Sequence, residues 1–115
     1  TDDECDRLIK TAKPRLQRSG VSDAVTGAGG LSDIRTSSGM FFGRNETAWI
    51  GAIEDRIARW LMVPVGNGEG MQVLNYLKSQ KYSPHHDYFS YDGADGNGGN
   101  RMVTVLMYLS HVEEG

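Results

Sequence analysis

Cysteine is almost absent from this 115-residue chain, where Cys5 stands alone. One thiol makes no internal disulfide and no thiolate zinc cluster. With no histidine close to it in sequence, Cys5 reads as a small core residue on a helix rather than as a nucleophile. Proline is scarce as well, with three residues, and the 15 glycines beside them keep the chain below the level that marks low-complexity disorder. No apolar run approaches the roughly 18 residues that cross a bilayer, and Thr1-Asp2-Asp3-Glu4 lacks the basic start of a signal peptide, so the expectation is a soluble chain. A block of Lys and Arg is missing too. Twelve basic against fifteen acidic residues leave a net charge of −3, which gives no long-range attraction to phosphate and sets nucleic acid aside as a partner. What is present, 38% apolar and 23% charged residues, belongs to an ordinary globular domain or part of one.

Thr1 and Glu4 have capping-box spacing, and Leu8, Ile9, Ala12 and Leu16 recur at helical intervals, which predicts a first helix to about Arg18, interrupted or kinked at Pro14. Residues 21–25 form a candidate strand, and residues 26–30, rich in glycine, have too much backbone freedom for a regular element. Residues 35–42 read as an extended segment or a mobile loop. Asn45 is a good N-cap for a second helix, whose stripe of Trp49, Ile50, Ile53, Ile57, Trp60 and Leu61 belongs to the core. Residues 63–70 make a turn or loop, 71–77 a strand, 78–81 a turn and 82–91 a second strand. A glycine-, asparagine- and aspartate-rich loop follows over 92–100, and the nearly all-apolar run 101–109 predicts a deeply buried strand.

The chemistry-bearing residues lie in Tyr82-Ser83-Pro84-His85-His86-Asp87-Tyr88-Phe89. On a strand His85 and Asp87 project to one side and His86 to the other, so one imidazole and one carboxylate aim at a common point. That is two thirds of the 2-His-1-carboxylate set that grips Fe(II) on one face and leaves the opposite positions open. A third ligand, a histidine, must come from elsewhere; His111 follows the apolar run directly and is expected to be exposed. The plainer reading of a His-x-Asp triplet is a surface pair joined by a hydrogen bond. A zinc hydrolase using His85, His86 and Asp87 ranks last, because adjacent residues of a strand face opposite ways.

The order of these segments, with Met71-Gln72-Val73-Leu74-Asn75-Tyr76, the His85-His86-Asp87 stretch, the glycine-rich loop and Arg101-Met102-Val103-Thr104-Val105-Leu106-Met107-Tyr108-Leu109, resembles prolyl 4-hydroxylases of the algal or plant type. The resemblance implies an α+β fold, mainly β with N-terminal helices, around part of a double-stranded β-helix (jelly-roll) core. It implies Fe(II), 2-oxoglutarate and ascorbate as cofactors, O₂ as a reactant, and hydroxylation at C4 of peptidyl proline in proline-rich cell-wall or collagen-like proteins. Such a substrate arrives as a polyproline II helix. By position, His85 and Asp87 match two iron ligands, and Tyr76 matches a tyrosine that holds 2-oxoglutarate. Arg35 and Ser37 match residues of a flexible loop that closes on the peptide, and Glu69, Tyr82 and Arg101 match other peptide contacts. As plain structure, Tyr76 and Tyr82 would be core aromatics and Arg35 and Arg101 solvated charges. The family's distal histidine, lysine and threonine lie past Gly115, so the chain is expected to be the N-terminal portion of one catalytic domain, poorly stable and inactive alone. Secretory-pathway residence, in the endoplasmic reticulum or Golgi, follows from the resemblance only. The alternative of a different class is a catalytically inactive module that binds proline-rich peptide without metal.

Overall fold

The computed structural model describes residues 1–22, 29–30, 35–89 and 99–112. The first helix, α1, covers Asp2–Ala12. Its start is the expected capping box: the Thr1 hydroxyl accepts from the Glu4 amide, the Glu4 carboxylate reaches back, and Asp2, Asp3 and Glu4 place negative charge at the positive end of the helix dipole. It ends earlier than about Arg18. Pro14 has no N–H to continue the ladder, and Lys13–Arg15 tightens into a single 3₁₀ turn before Leu16 becomes extended.

Among the described residues are five short strands, in chain order β1 (Gln17–Arg18), β2 (Val21–Ser22), β3 (Gly29–Gly30), β4 (Ser38–Phe41) and β5 (Gln72–Asn75). β4 lies at the centre of a three-stranded antiparallel sheet, with Gly39 opposite Gln17 on one side and opposite Leu74 on the other. Of the two readings of 35–42 the extended one holds, and its second half is the central strand. β2 and β3 pair separately, which puts two of the glycines of 26–30 in a ladder and confirms the start of the strand expected over 21–25. The rest of both segments lies outside the described residues.

The second helix, α2, covers Ala48–Leu61 and is capped by Thr47, whose hydroxyl accepts from the Ile50 amide at 3.3 Å. Asn45 is not the cap. It adopts a left-handed conformation, φ 52°, and donates its amide to Glu54 Oε2, so the chain turns two residues before the cap. Met62, φ 57°, closes the helix in an αL cap. The core draws on both helices and the sheet: Leu8 and Ala12 from α1, Ile50 and Ile53 from α2, Met40, Val73 and Phe42 from β4, β5 and the turn after β4, with Trp49 edge-on to Phe42 at 6.1 Å. Burial of each large side chain in this set contributes about 1.5–3 kcal/mol. Cys5 is free and half-buried on α1.

Two expected strands do not form among the described residues. Residues 82–89 form no strand; a single bridge joins Tyr82 to Arg35. Pro84 lacks a ladder donor, and the His85 ring bonds back to the Ser83 carbonyl, a local partner that competes with strand pairing. Residues 101–109 form no strand either, and they are not buried: Met102 is 94% exposed and Leu106 70%. An apolar run becomes a buried strand only against a neighbour that takes its backbone bonds, and no described strand lies beside this one. The α+β class holds, with 11 and 14 residues in the helices, but mainly β does not show among the described residues, where no strand is longer than four.

Candidate metal centre

The segment after β5 is tied to the entry of β4. Thr36 donates its amide to the Lys81 carbonyl at 2.9 Å, and Lys81 returns its amide to the Thr36 hydroxyl at 2.9 Å. This clasp puts Tyr82 beside Arg35, whose guanidinium carbon lies 4.7 Å over the Tyr82 ring. The His85 ring stacks on Tyr82, with centroids 3.6 Å apart and planes 19° from parallel. His85 Nδ1 sits 2.8 Å from the Ser83 carbonyl. A carbonyl only accepts, so Nδ1 carries the hydrogen and Nε2 is the free position.

That free nitrogen lies 3.1 Å from Asp87 Oδ1. The other carboxylate oxygen, Oδ2, accepts from the Thr104 hydroxyl. The Thr104 hydrogen bond, with smaller help from His85 and Arg101, holds the Asp87 carboxyl below its ordinary range and keeps it charged. A neutral ring then sets a nitrogen lone pair against a carboxylate lone pair, and the space between them takes a positive charge: a proton on Nε2 or a metal ion. Neighbouring ligands of an octahedral divalent ion with bonds of about 2.1 Å stand about 3.0 Å apart. The imidazole and the carboxylate fit such an ion, and the Ser83 carbonyl and Thr104 hydroxyl are the outer partners that metal ligands ordinarily have. Among the described residues no group of three His, Cys, Asp or Glu side chains comes together.

The same-side expectation for His85 and Asp87 therefore holds although its reason, a strand, does not. His86 points elsewhere, its ring 4.8 Å from Tyr88, and His111 is exposed as expected. Arg101 and Glu69, 32 residues apart, form a two-pronged ion pair, with Nη2 to Oε2 at 2.7 Å, and Arg101 Nη1 donates to the Asp87 carbonyl at 3.2 Å. Arg101 holds the Glu69 carboxyl below its usual range, and Glu69 in turn raises Arg101. Tyr82, Glu69 and Arg101 are thus gathered within one network around Asp87. Tyr76 stands apart, exposed just after β5. Arg35 and Ser37 are not on a loose loop: both are buried, Arg35 donates to the Gly20 carbonyl at 3.2 Å and the Ser37 hydroxyl at 3.4 Å, and Ser37 bonds Ser19.

Two residues of this site were not singled out from the sequence. Thr104 sits in an apolar run whose pattern spoke only of burial. Asn100 closes its side chain on Phe89, accepting from the Phe89 amide at 2.8 Å and donating to the Phe89 carbonyl at 2.6 Å, as a neighbouring strand would. An asparagine at the end of a glycine-rich run was the available signal for Asn100.

Residues 71–115 match the 2OG-Fe(II) oxygenase superfamily. The whole chain aligns with Arabidopsis thaliana "Probable prolyl 4-hydroxylase 10" at 50% identity and with "Prolyl 4-hydroxylase 5" at 49%, in each case over 40% of that protein. "Probable prolyl 4-hydroxylase 3" from the same plant is 50% identical over 98% of the chain and 39% of its own length. The chain thus spans about 40% of the length of these curated relatives.

Proposed function

We propose that this chain belongs to the 2OG-Fe(II) oxygenase superfamily and contributes two iron ligands to an enzyme that hydroxylates peptidyl proline at C4. The observation that carries this reading is the His85 nitrogen and Asp87 oxygen, 3.1 Å apart and each held from behind, within the stretch that matches the 2OG-Fe(II) oxygenase superfamily. When bound, Fe(II) with 2-oxoglutarate supplies the oxidising chemistry, by which O₂ is reduced as 2-oxoglutarate loses CO₂ to become succinate. The chain's own residues bind and orient. Tyr76 offers its hydroxyl to the 2-oxoglutarate carboxylate, and ascorbate supports turnover.

The peptide side of the site is the Glu69, Tyr82 and Arg101 network, whose half-buried aromatic and fixed guanidinium suit a polyproline II segment with few backbone donors. Arg35 supports that face through Tyr82 and Ser37 holds Arg35, and by resemblance both belong to the peptide-contacting side. A proline-rich cell-wall or collagen-like protein is the substrate class. The third ligand, the carboxylate-anchoring lysine and the remaining strands of a jelly roll come from chain outside these 115 residues, so that this is the N-terminal portion of one catalytic domain. Secretory-pathway residence accords with such substrates; no described helix is long and apolar enough to cross a membrane.

The test uses the intact enzyme with Fe(II), 2-oxoglutarate, ascorbate and a proline-rich peptide. Succinate and hydroxyproline are expected in equal amounts, and His85→Ala is expected to abolish both. Full turnover by His85→Ala overturns the ligand assignment. Peptide binding without Fe(II) and without succinate from the parent protein identifies the inactive binding module instead.

A further inference from the structure

We infer that Thr104 is a positioning residue for the metal centre, fixing which oxygen of Asp87 is offered to the ion. This rests on the metal reading of His85 and Asp87. A free carboxylate presents two equivalent oxygens and can bind with either or both. Here the two are made unequal. Asp87 Oδ2 is occupied by the Thr104 hydroxyl, which must be the donor because a carboxylate only accepts, and Oδ1 alone faces His85 Nε2.

The backbone of the same aspartate is held by the same stretch of chain, since Arg101 Nη1 donates to the Asp87 carbonyl. Arg101 and Thr104 thus grip Asp87 at its main chain and its side chain, and Arg101 is itself steadied by Glu69. Thr104 stands among exposed apolar neighbours, Met102, Val103 and Leu106, and its hydroxyl is turned to the carboxylate rather than left to solvent alone. Removing that hydroxyl frees the Asp87 carboxylate to turn about its last bond, and the one-oxygen, one-nitrogen set becomes one arrangement among several. Outer partners of metal ligands commonly change affinity 10–100-fold.

The experiment adds Mn²⁺ alone to the intact enzyme and follows the paramagnetic broadening of the His85 ring protons by NMR, with no turnover required. Thr104→Val and Thr104→Ala are expected to need about tenfold more Mn²⁺ for the same broadening, and Thr104→Ser, which restores only the hydroxyl, to stay within about twofold of the parent. Using two hydroxyl-free variants of different shape keeps the result readable should one of them lose its fold. Parent-like titration by either folded hydroxyl-free variant, or a loss in Thr104→Ser equal to that in Thr104→Val, overturns the inference. Asp87→Ala separates it from its premise: if His85 still broadens as in the parent, the metal reading itself fails and this inference with it.

Discussion

Glu69 and Arg101 meet across 32 residues of chain, and each changes the other's proton affinity. Arg101 holds the Glu69 carboxyl below the ordinary 4.5, with its hydrogen bond the largest cause. A depressed carboxylate contributes stability in full above the unfolded value and loses it as pH falls through the folded one. The pair is therefore expected to be intact at neutral pH and to weaken below about pH 4.5. A carboxyl-carbon NMR titration should find Glu69 below the usual carboxylate range, and Arg101→Gln should return it upward; an unshifted titration in the parent would show that the pair does not form. Glu69 and Arg101 were legible from the sequence only through resemblance, since 32 residues of separation leave no local pattern. His85 and Asp87 were legible by type and spacing, because two residues of any extended backbone bring their side chains to one side. Thr104 was not, as a hydroxyl inside an apolar run carries no sign of the carboxylate it will meet.

At the scale of elements, the turn from α2 into β5 depends on a close approach of two backbones. A Cβ at Gly70 would run into the Phe42 carbonyl oxygen, while Phe42 donates its amide to Met71 next door at 2.9 Å. Neither side can retreat without breaking that bond. Gly70→Ala is accordingly expected to destabilise by about 1–3 kcal/mol in urea unfolding, whereas Gly68→Ala, whose Cβ would meet nothing nearer than the Val65 carbonyl at 3.4 Å, should stay within about 0.5 kcal/mol. Equal effects would place the crowding elsewhere. Both helices could be read because capping and 3.6-residue periodicity are local properties, and their errors are confined to ends: Pro14 stops α1 early, and the left-handed Asn45 passes the cap to Thr47. Strands are relations between distant segments. The pattern of 71–77 found its partner in β4, and the patterns of 82–91 and 101–109 found none among the described residues.

For the whole molecule, the core among the described residues is a small cluster around Ile50 and Phe42, and much apolar surface lies outside it. Trp60 is 72% exposed, and Leu106, at 70%, lies across a shallow groove from it, between α2 and the 103–107 stretch. A face of this kind binds apolar probes. The 115-residue chain is expected to enhance the fluorescence of anilinonaphthalene sulfonate under native conditions. Leu106→Gln should reduce that signal while changing the unfolding free energy in urea by no more than about 0.5 kcal/mol, as for any exposed position. A cost of 2 kcal/mol or more would mean that Leu106 is buried in solution. The carboxamide of Asn100, locked on Phe89, has a different consequence. It works as a drawstring at the neck of a purse: whatever amount of chain is stitched in between positions 89 and 100, the mouth stays drawn, and the imidazole and carboxylate below it do not register the change.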